Sequence, residues 1–154
     1  MTETATMTET ASMSETATTD AVATFLAAAL VNDVDGMINA LSPEAELASP
    51  LFGRMVFRGH DDLRALLAAV YGGLSGLRWR EVIGEGSTRV AVSDARIAGV
   101  TITDAMVLEL DDDGRIRRIR PHLKPLLAVT LFAAALGPKL ARHPGTIRRA
   151  LSRA

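Results

Sequence analysis

The segment Val100 to Leu110 constrains the chain more than any other. Val100, Ile102, Asp104, Met106, Leu108 and Leu110 fall on every second position, the period of a strand with one face turned to a core. Asp113-Gly114 follows, a strong hairpin signal, and Arg115 to Pro121 reads as the returning strand. Upstream lie Leu77 to Glu85, with Trp79 and Ile83, and Arg89 to Ile97, which turns at Ala98-Gly99. Strands joined by such short turns must pair antiparallel. A sheet with one apolar face also needs something to cover that face.

The cover is predicted upstream. Asp20 is a good N-cap for a helix through Val31, with Val22, Phe25, Leu26, Ala29 and Leu30 at helical spacing. Asn32-Asp33-Val34-Asp35-Gly36 leads to a short helix ending near Leu41, and Ser42-Pro43-Glu44 reads as a turn. Ala45 to Ser49 and Met55 to Arg58 are short strands. Gly59-His60-Asp61 opens a helix with Leu63, Leu66, Leu67, Val70 and Tyr71 as its buried stripe. Helices followed by a meander argue an α+β domain with a sheet of about six strands.

Two flanking regions differ in character. Residues 1–19 repeat MTETAT, MTETAS and MSETAT, which offers too little apolar surface to order itself and reads as a disordered low-complexity tail. Residues 124–154 read as a helical extension. Pro125 to Leu136 is apolar nearly all round, Gly137-Pro138 is expected to break it, and a short helix follows His143-Pro144-Gly145. Lys124, Lys139, Arg142, Arg148, Arg149 and Arg153 make this region basic, with no acid among them. An apolar helix joined to a basic one suits a membrane surface; packing on the domain itself, on a partner or over a pocket is the competing expectation. The apolar run Leu126–Leu136 is too short for a membrane span, which needs about 20 residues.

Composition removes whole classes. The chain has no cysteine, so disulfides, thiolate zinc sites and cysteine nucleophiles are excluded. A net charge of −1 gives no reason to expect nucleic acid. The polar, acidic N-terminus has neither a basic nor an apolar signal region, so a cytoplasmic protein is expected.

The pattern NDVDGMINALSPEAELASP followed by FRGHDDLRALLAAVY, with DDDGRIRRI near the end, resembles the nuclear transport factor 2-like superfamily. Its members include ketosteroid isomerase, limonene epoxide hydrolase and the SnoaL-like polyketide cyclases. The resemblance covers Asp20 to Leu123. It implies a curved, antiparallel-rich mixed sheet and helices forming a cone around an apolar pocket, and a homodimer, which the frequency of two-fold symmetry also favours. By the same resemblance the isomerase's general base falls on Ser49, its oxyanion tyrosine on Phe25 and its oxyanion aspartate on Met106. None of these can supply that chemistry. The late-strand acid of the hydrolase and the cyclases falls on Pro121, and the hydrolase's Arg-x-Asp pair meets the reversed order Asp94-Ala95-Arg96. The implied pocket wall is Phe25, Ser49, Met106, Ile119, Pro121 and Leu123, apolar with one hydroxyl. An apolar small molecule is the expected partner, bound without isomerase or epoxide hydrolase chemistry.

Asp104 interrupts the apolar row. A carboxylate there has a raised pKa unless paired, which suits a general acid or base. On that reading the protein is an isomerase, cyclase or hydrolase acting on a polyketide-, terpenoid- or steroid-like substrate that Ser49 orients. The competing expectation puts Asp104 at the pocket mouth or pairs it with an arginine such as Arg96. His60 stands at a helix start, either as a proton shuttle at the pocket rim or merely opening the helix. His122 is expected to point outward with Arg118 and Arg120, toward acids across an interface or on the extension. The histidines show no metal-ligand spacing, and Asp111-Asp112-Asp113-Gly114 lacks the alternating ligands of a calcium loop. Gly84-Glu85-Gly86 reads as a turn without a phosphate-binding context. Ser49 and Ser93 have no nucleophile-elbow pattern. Neither a metal nor a cofactor is expected. Three functions stay open: an apolar-ligand protein, an acid–base enzyme, and a membrane or assembly module acting through residues 125–154.

Overall fold

The computed structural model describes residues 20–152; the predicted N-terminal tail lies outside them, as does Arg153. Helix α1 (Ala21–Leu30) begins where Asp20 accepts the Val22 N–H, at 3.0 Å. Helix α2 (Val34–Asn39) begins the same way on Asp33, which accepts the Gly36 N–H at 2.9 Å. Both caps satisfy N–H groups that the first helical turn leaves without a partner.

Strand β1 (Leu41–Ala48) corrects the expected turn at Ser42-Pro43-Glu44. The chain stays extended there, and the irregularity appears as a shift of register against β6 (Ile116–Arg120) between Leu41 and Glu46. Such a bulge can hold a proline, which has no donor for a ladder. The Ser42 carbonyl takes a hydrogen bond from Nε2 of His60 at 3.0 Å. Strand β2 (Val56–Arg58) pairs antiparallel with β1, and helix α3 (Gly59–Tyr71) follows directly.

The meander forms as predicted. Strands β3 (Ser75–Ile83), β4 (Thr88–Ile97) and β5 (Val100–Leu110) pair antiparallel in sequence, and β6 pairs antiparallel with β5. The β4–β5 turn has φ of 48° at Ala98 and 80° at Gly99. Positive φ at both central residues is the hairpin geometry that matches strand twist, and glycine adopts it at no steric cost. The sheet has seven strands, ordered β2-β1-β6-β5-β4-β3, with β7 (Leu123–Lys124) also against β5. It is mixed, because β1 and β6 run parallel.

One sheet face carries the core, with Ala91, Ala95, Ile102, Met106, Leu108 and Ile119 buried against α1 and α3. Trp79 ties the edge strand to α1 through Nε1 and the Leu26 carbonyl, at 3.0 Å. The other face carries charge. Arg118 and Arg120 meet Glu109, and Arg118 also meets Glu46, which holds Arg58 at 2.7 Å. This corrects the expectation that the arginine row waits for acids elsewhere: the acids stand on neighbouring strands of the same sheet.

Helix α4 (Leu126–Leu140) runs through Gly137-Pro138, where a break was expected. Pro138 removes one helix bond, but the carbonyl left over belongs to exposed Ala134 and can meet water. Buried Leu136 and Leu140 hold the turns on either side. Helix α5 (Pro144–Ser152) is fastened to α3 by buried Asp62, which accepts from Thr146 Oγ1 and Arg149 Nε, each at 3.0 Å. At the start of α4, Leu126 and Leu127 are 81% and 63% exposed. Among the described residues no helix is long and apolar enough to cross a membrane.

Candidate functional site

A cavity of about 380 Å³ lies between the apolar face of the sheet, α1, α3 and the extension. Its sheet side is Ser93, Ala95, Ile102, Asp104 and Met106. Phe25 comes from α1, Leu66, Leu67, Val70 and Tyr71 from α3, and Ser49 to Phe52 from the loop after β1. The extension contributes Phe132, Leu136 and Leu140 from α4 and Ile147 from α5. Phe132 and Leu136 therefore stand in the wall, with open volume beside them.

Of the wall implied by the sequence, Phe25, Ser49, Met106, Pro121 and Leu123 line this cavity. Ile119 does not. It is fully buried and packs in the filled part of the core, in register with Leu108 and Leu47. Ser49 is occupied locally, since its Oγ accepts the N–H groups of Leu51 and Phe52 at 3.2 and 3.3 Å, a short turn of a kind serine often makes.

Asp104 faces the cavity and has a second task. Register pairs Ala105 with His122, and in an antiparallel ladder such a pair can exchange two backbone bonds. Only one forms, from Ala105 N–H to the His122 carbonyl at 3.1 Å. The His122 N–H goes instead to Asp104 Oδ1 at 2.9 Å, and His122 Nδ1 meets the Ala105 carbonyl at 3.1 Å. Two side chains thus replace one ladder bond at the gap between β6 and β7. Burial pushes the Asp104 carboxyl up to about 6, against the downward pull of the His122 N–H and ring. Among the described residues, no hydrogen bond reaches its other oxygen.

The expected pairing with Arg96 does not occur. Arg96 lies opposite Thr101 and Asp104 opposite Ser93, and these pairs stand on opposite faces of the sheet. It is Asp94, on the outer face, that takes arginine, from Arg80 at 2.7 Å. Tyr71 shares the cavity with Asp104. Burial, and secondarily the Asp104 charge, push its hydroxyl well above the usual range, so it stays protonated as a donor. Its ring meets Phe25 edge-on, with centroids 6.5 Å apart.

The remaining candidates fall elsewhere. His60 lies in a separate polar recess with Arg58, Asp61, Asp62 and Arg149, and holds the Ser42 carbonyl. His122 is exposed. Asp111 Oδ1 accepts the N–H groups of Asp113 and Arg115, the hydrogen bonding of a hairpin tip. Among the described residues no group of three or more His, Asp or Glu is arranged to hold a metal ion. Gly84 and Gly86 sit in a turn with φ of 97° and 66°.

Sequence reasoning missed Tyr71 and Ser93 as site residues, whereas packing of the extension over a pocket was one of the expectations it left open. A signal for Ser93 was present: counting back from the two-residue turn at Ala98-Gly99 places it opposite Asp104. Tyr71 belonged to a stripe predicted as core, and its hydroxyl gave no separate sign.

The family described as SnoaL-like domain matches residues 6–119. No curated protein matches the chain. Among solved structures, the chain is similar to an uncharacterised bacterial protein with a cystatin-like fold from Silicibacter pomeroyi, with TM-score 0.78 and 19% identity over 84% of this chain and 93% of that one. It is similar to a steroid delta-isomerase from Pseudomonas aeruginosa, with TM-score 0.73 and 20% identity over 82% and 96%. An epoxide hydrolase/cyclase-like enzyme of pyran ring formation in the polyether salinomycin gives TM-score 0.58 and 15% identity over 70% and 90%. At these identities the likeness is one of fold.

Proposed function

The chain belongs to the SnoaL-like domain family, and from that premise we propose that it is a small-molecule-binding protein whose cavity takes an apolar ligand anchored through one polar group. The observation that carries this reading is a cavity of about 380 Å³ with an apolar wall and a single carboxylate, Asp104. Ligand sites commonly span about 300–1,000 Å³, with a few polar groups fixing orientation in an apolar lining. Asp104, Ser93 and Tyr71 supply such groups here. By the resemblance, Ser49, Phe25 and Met106 take the positions of the isomerase's base and two donors, so the reading does not include that reaction.

One observation favours a second, catalytic reading. The Asp104 carboxyl, pushed up to about 6, is suited to exchanging protons near neutral pH. Tyr71 remains a neutral donor able to steady an oxygen where charge develops. On a polyketide-, terpenoid- or steroid-like ketone, Asp104 takes a proton from the carbon beside the carbonyl while Tyr71 donates to its oxygen.

Titration with N-phenyl-1-naphthylamine, a neutral apolar dye, tests the binding reading. The full chain is expected to show saturable single-site fluorescence enhancement. Ala133→Phe, which puts a ring into the cavity from half-buried α4, is expected to weaken it by about tenfold or more. No saturable binding, or equal binding by the variant, contradicts the reading.

A further inference from the structure

We infer that the cavity selects a hydrophobic cation: a molecule with an apolar body and one ammonium group, seated with its nitrogen at Asp104. The inference rests on the cavity being a ligand site and names the class of ligand it takes. Two independent observations point to it.

The first is charge. Asp104 is the one formally charged residue lining the cavity, where no Lys, Arg, His or Glu appears. Its Oδ1 takes a backbone N–H, which orients the carboxylate without neutralising it. A carboxylate in apolar surroundings is costly, and the His122 N–H and ring offset that cost only in part. A bound ammonium removes that cost. A carboxylate or phosphate ligand adds a like charge, and a neutral ligand leaves the site as it was.

The second is ring content. The chain has four phenylalanines, one tyrosine and one tryptophan, and five of these six rings border this cavity: half-buried Tyr71, nearly buried Phe132, exposed Phe52 at its edge, and Phe25 and Phe57, both fully buried in its wall. They come from α1, the loop after β1, β2, α4 and α3, so segments far apart in sequence place their rings around one space. Aromatic rings attract cations through their electron-rich faces, and clusters of them recognise ammonium groups.

Three ligands with the same cage decide the matter: adamantylamine, adamantanol and adamantane carboxylate, titrated into the full chain by calorimetry. At about pH 8 the amine is expected to bind at least about tenfold tighter than the alcohol, and the carboxylate weakest. The amine's advantage is expected to vanish in Asp104→Asn, which keeps an oxygen for the His122 N–H. It is also expected to shrink below about pH 5, where the carboxyl is mostly protonated. Tyr71, from α3, and His122, from the β6–β7 link, are the other titratable groups beside Asp104, so the pH series is read together with Asp104→Asn. Equal or tighter binding of the alcohol or the carboxylate by the full chain overturns the inference, as does an amine preference that persists in Asp104→Asn. Dye binding without an amine preference overturns it alone. Absence of both dye and adamantane binding overturns the pocket reading and the inference with it.

Discussion

At Asp104 one carboxylate completes a strand pairing through Oδ1 and faces an apolar cavity. This has a consequence for stability. Burial raises its pKa in the fold to about 6, so the native chain holds a proton that the unfolded chain has already lost. The stabilising balance is complete below the unfolded carboxyl's pKa and is lost as pH rises through about 6. Above that window the charged form costs on the order of 2–3 kcal/mol. Asp104→Asn is therefore expected to raise unfolding free energy at about pH 8 by about 1–3 kcal/mol, with little change near pH 4. Urea denaturation at the two values checks this, and a variant less stable at the higher pH contradicts it. The inward direction of Asp104 was legible in the alternation of Val100 to Leu110. Its bond to His122 was not, because that bond depends on a missing ladder contact that no periodicity encodes.

At the scale of elements, a charge pair fastens α5 to α3, while buried apolar side chains hold α4. Asp62 is 6% exposed and accepts from Thr146 and Arg149 of α5. Asp62→Ala leaves the buried Thr146 hydroxyl without that acceptor and frees the half-exposed Arg149 side chain, for an expected loss of about 2–3 kcal/mol. Hydrogen exchange is expected to quicken first in residues 144–152 of the variant, while β4 and β5 keep their protection. A uniform loss across the sheet would contradict a local fastening. Trp79→Phe, which removes the bond to the Leu26 carbonyl, is expected to cost about 1 kcal/mol in thermal or chemical unfolding. The caps at Asp20 and Asp33 and the turns at Ala98-Gly99 and Asp113-Gly114 were legible, since each depends on residues adjacent in sequence. The extended path through Pro43 and the helix through Pro138 were not. In both places distant packing overrides a local breaker: buried Ala45 in β1, and Leu136 and Leu140 in α4. The resting place of α4 was equally hidden, because a helix apolar nearly all round has no single face that names its neighbour.

At the scale of the whole molecule, a SnoaL-like domain and a segment beyond its match enclose one space. The family match ends at residue 119, while Phe132, Leu136, Leu140 and Ile147 complete the wall. The cone was legible by resemblance, but the packing of residues 126–147 beside the cavity is a product of the tertiary fold. The charged outer face pairs within itself, and the proposed function places the ligand on the enclosed side. That claim is tested most directly by a crystal of the full chain grown with a bromine-labelled adamantylamine and measured for anomalous scattering. A bromine peak is expected inside the cavity, among Met106, Phe132 and Leu136, with the amine toward Asp104. Bromine found only on the exposed surface around Leu126 and Leu127, or a cavity filled by the Phe132 and Leu136 side chains, would contradict it.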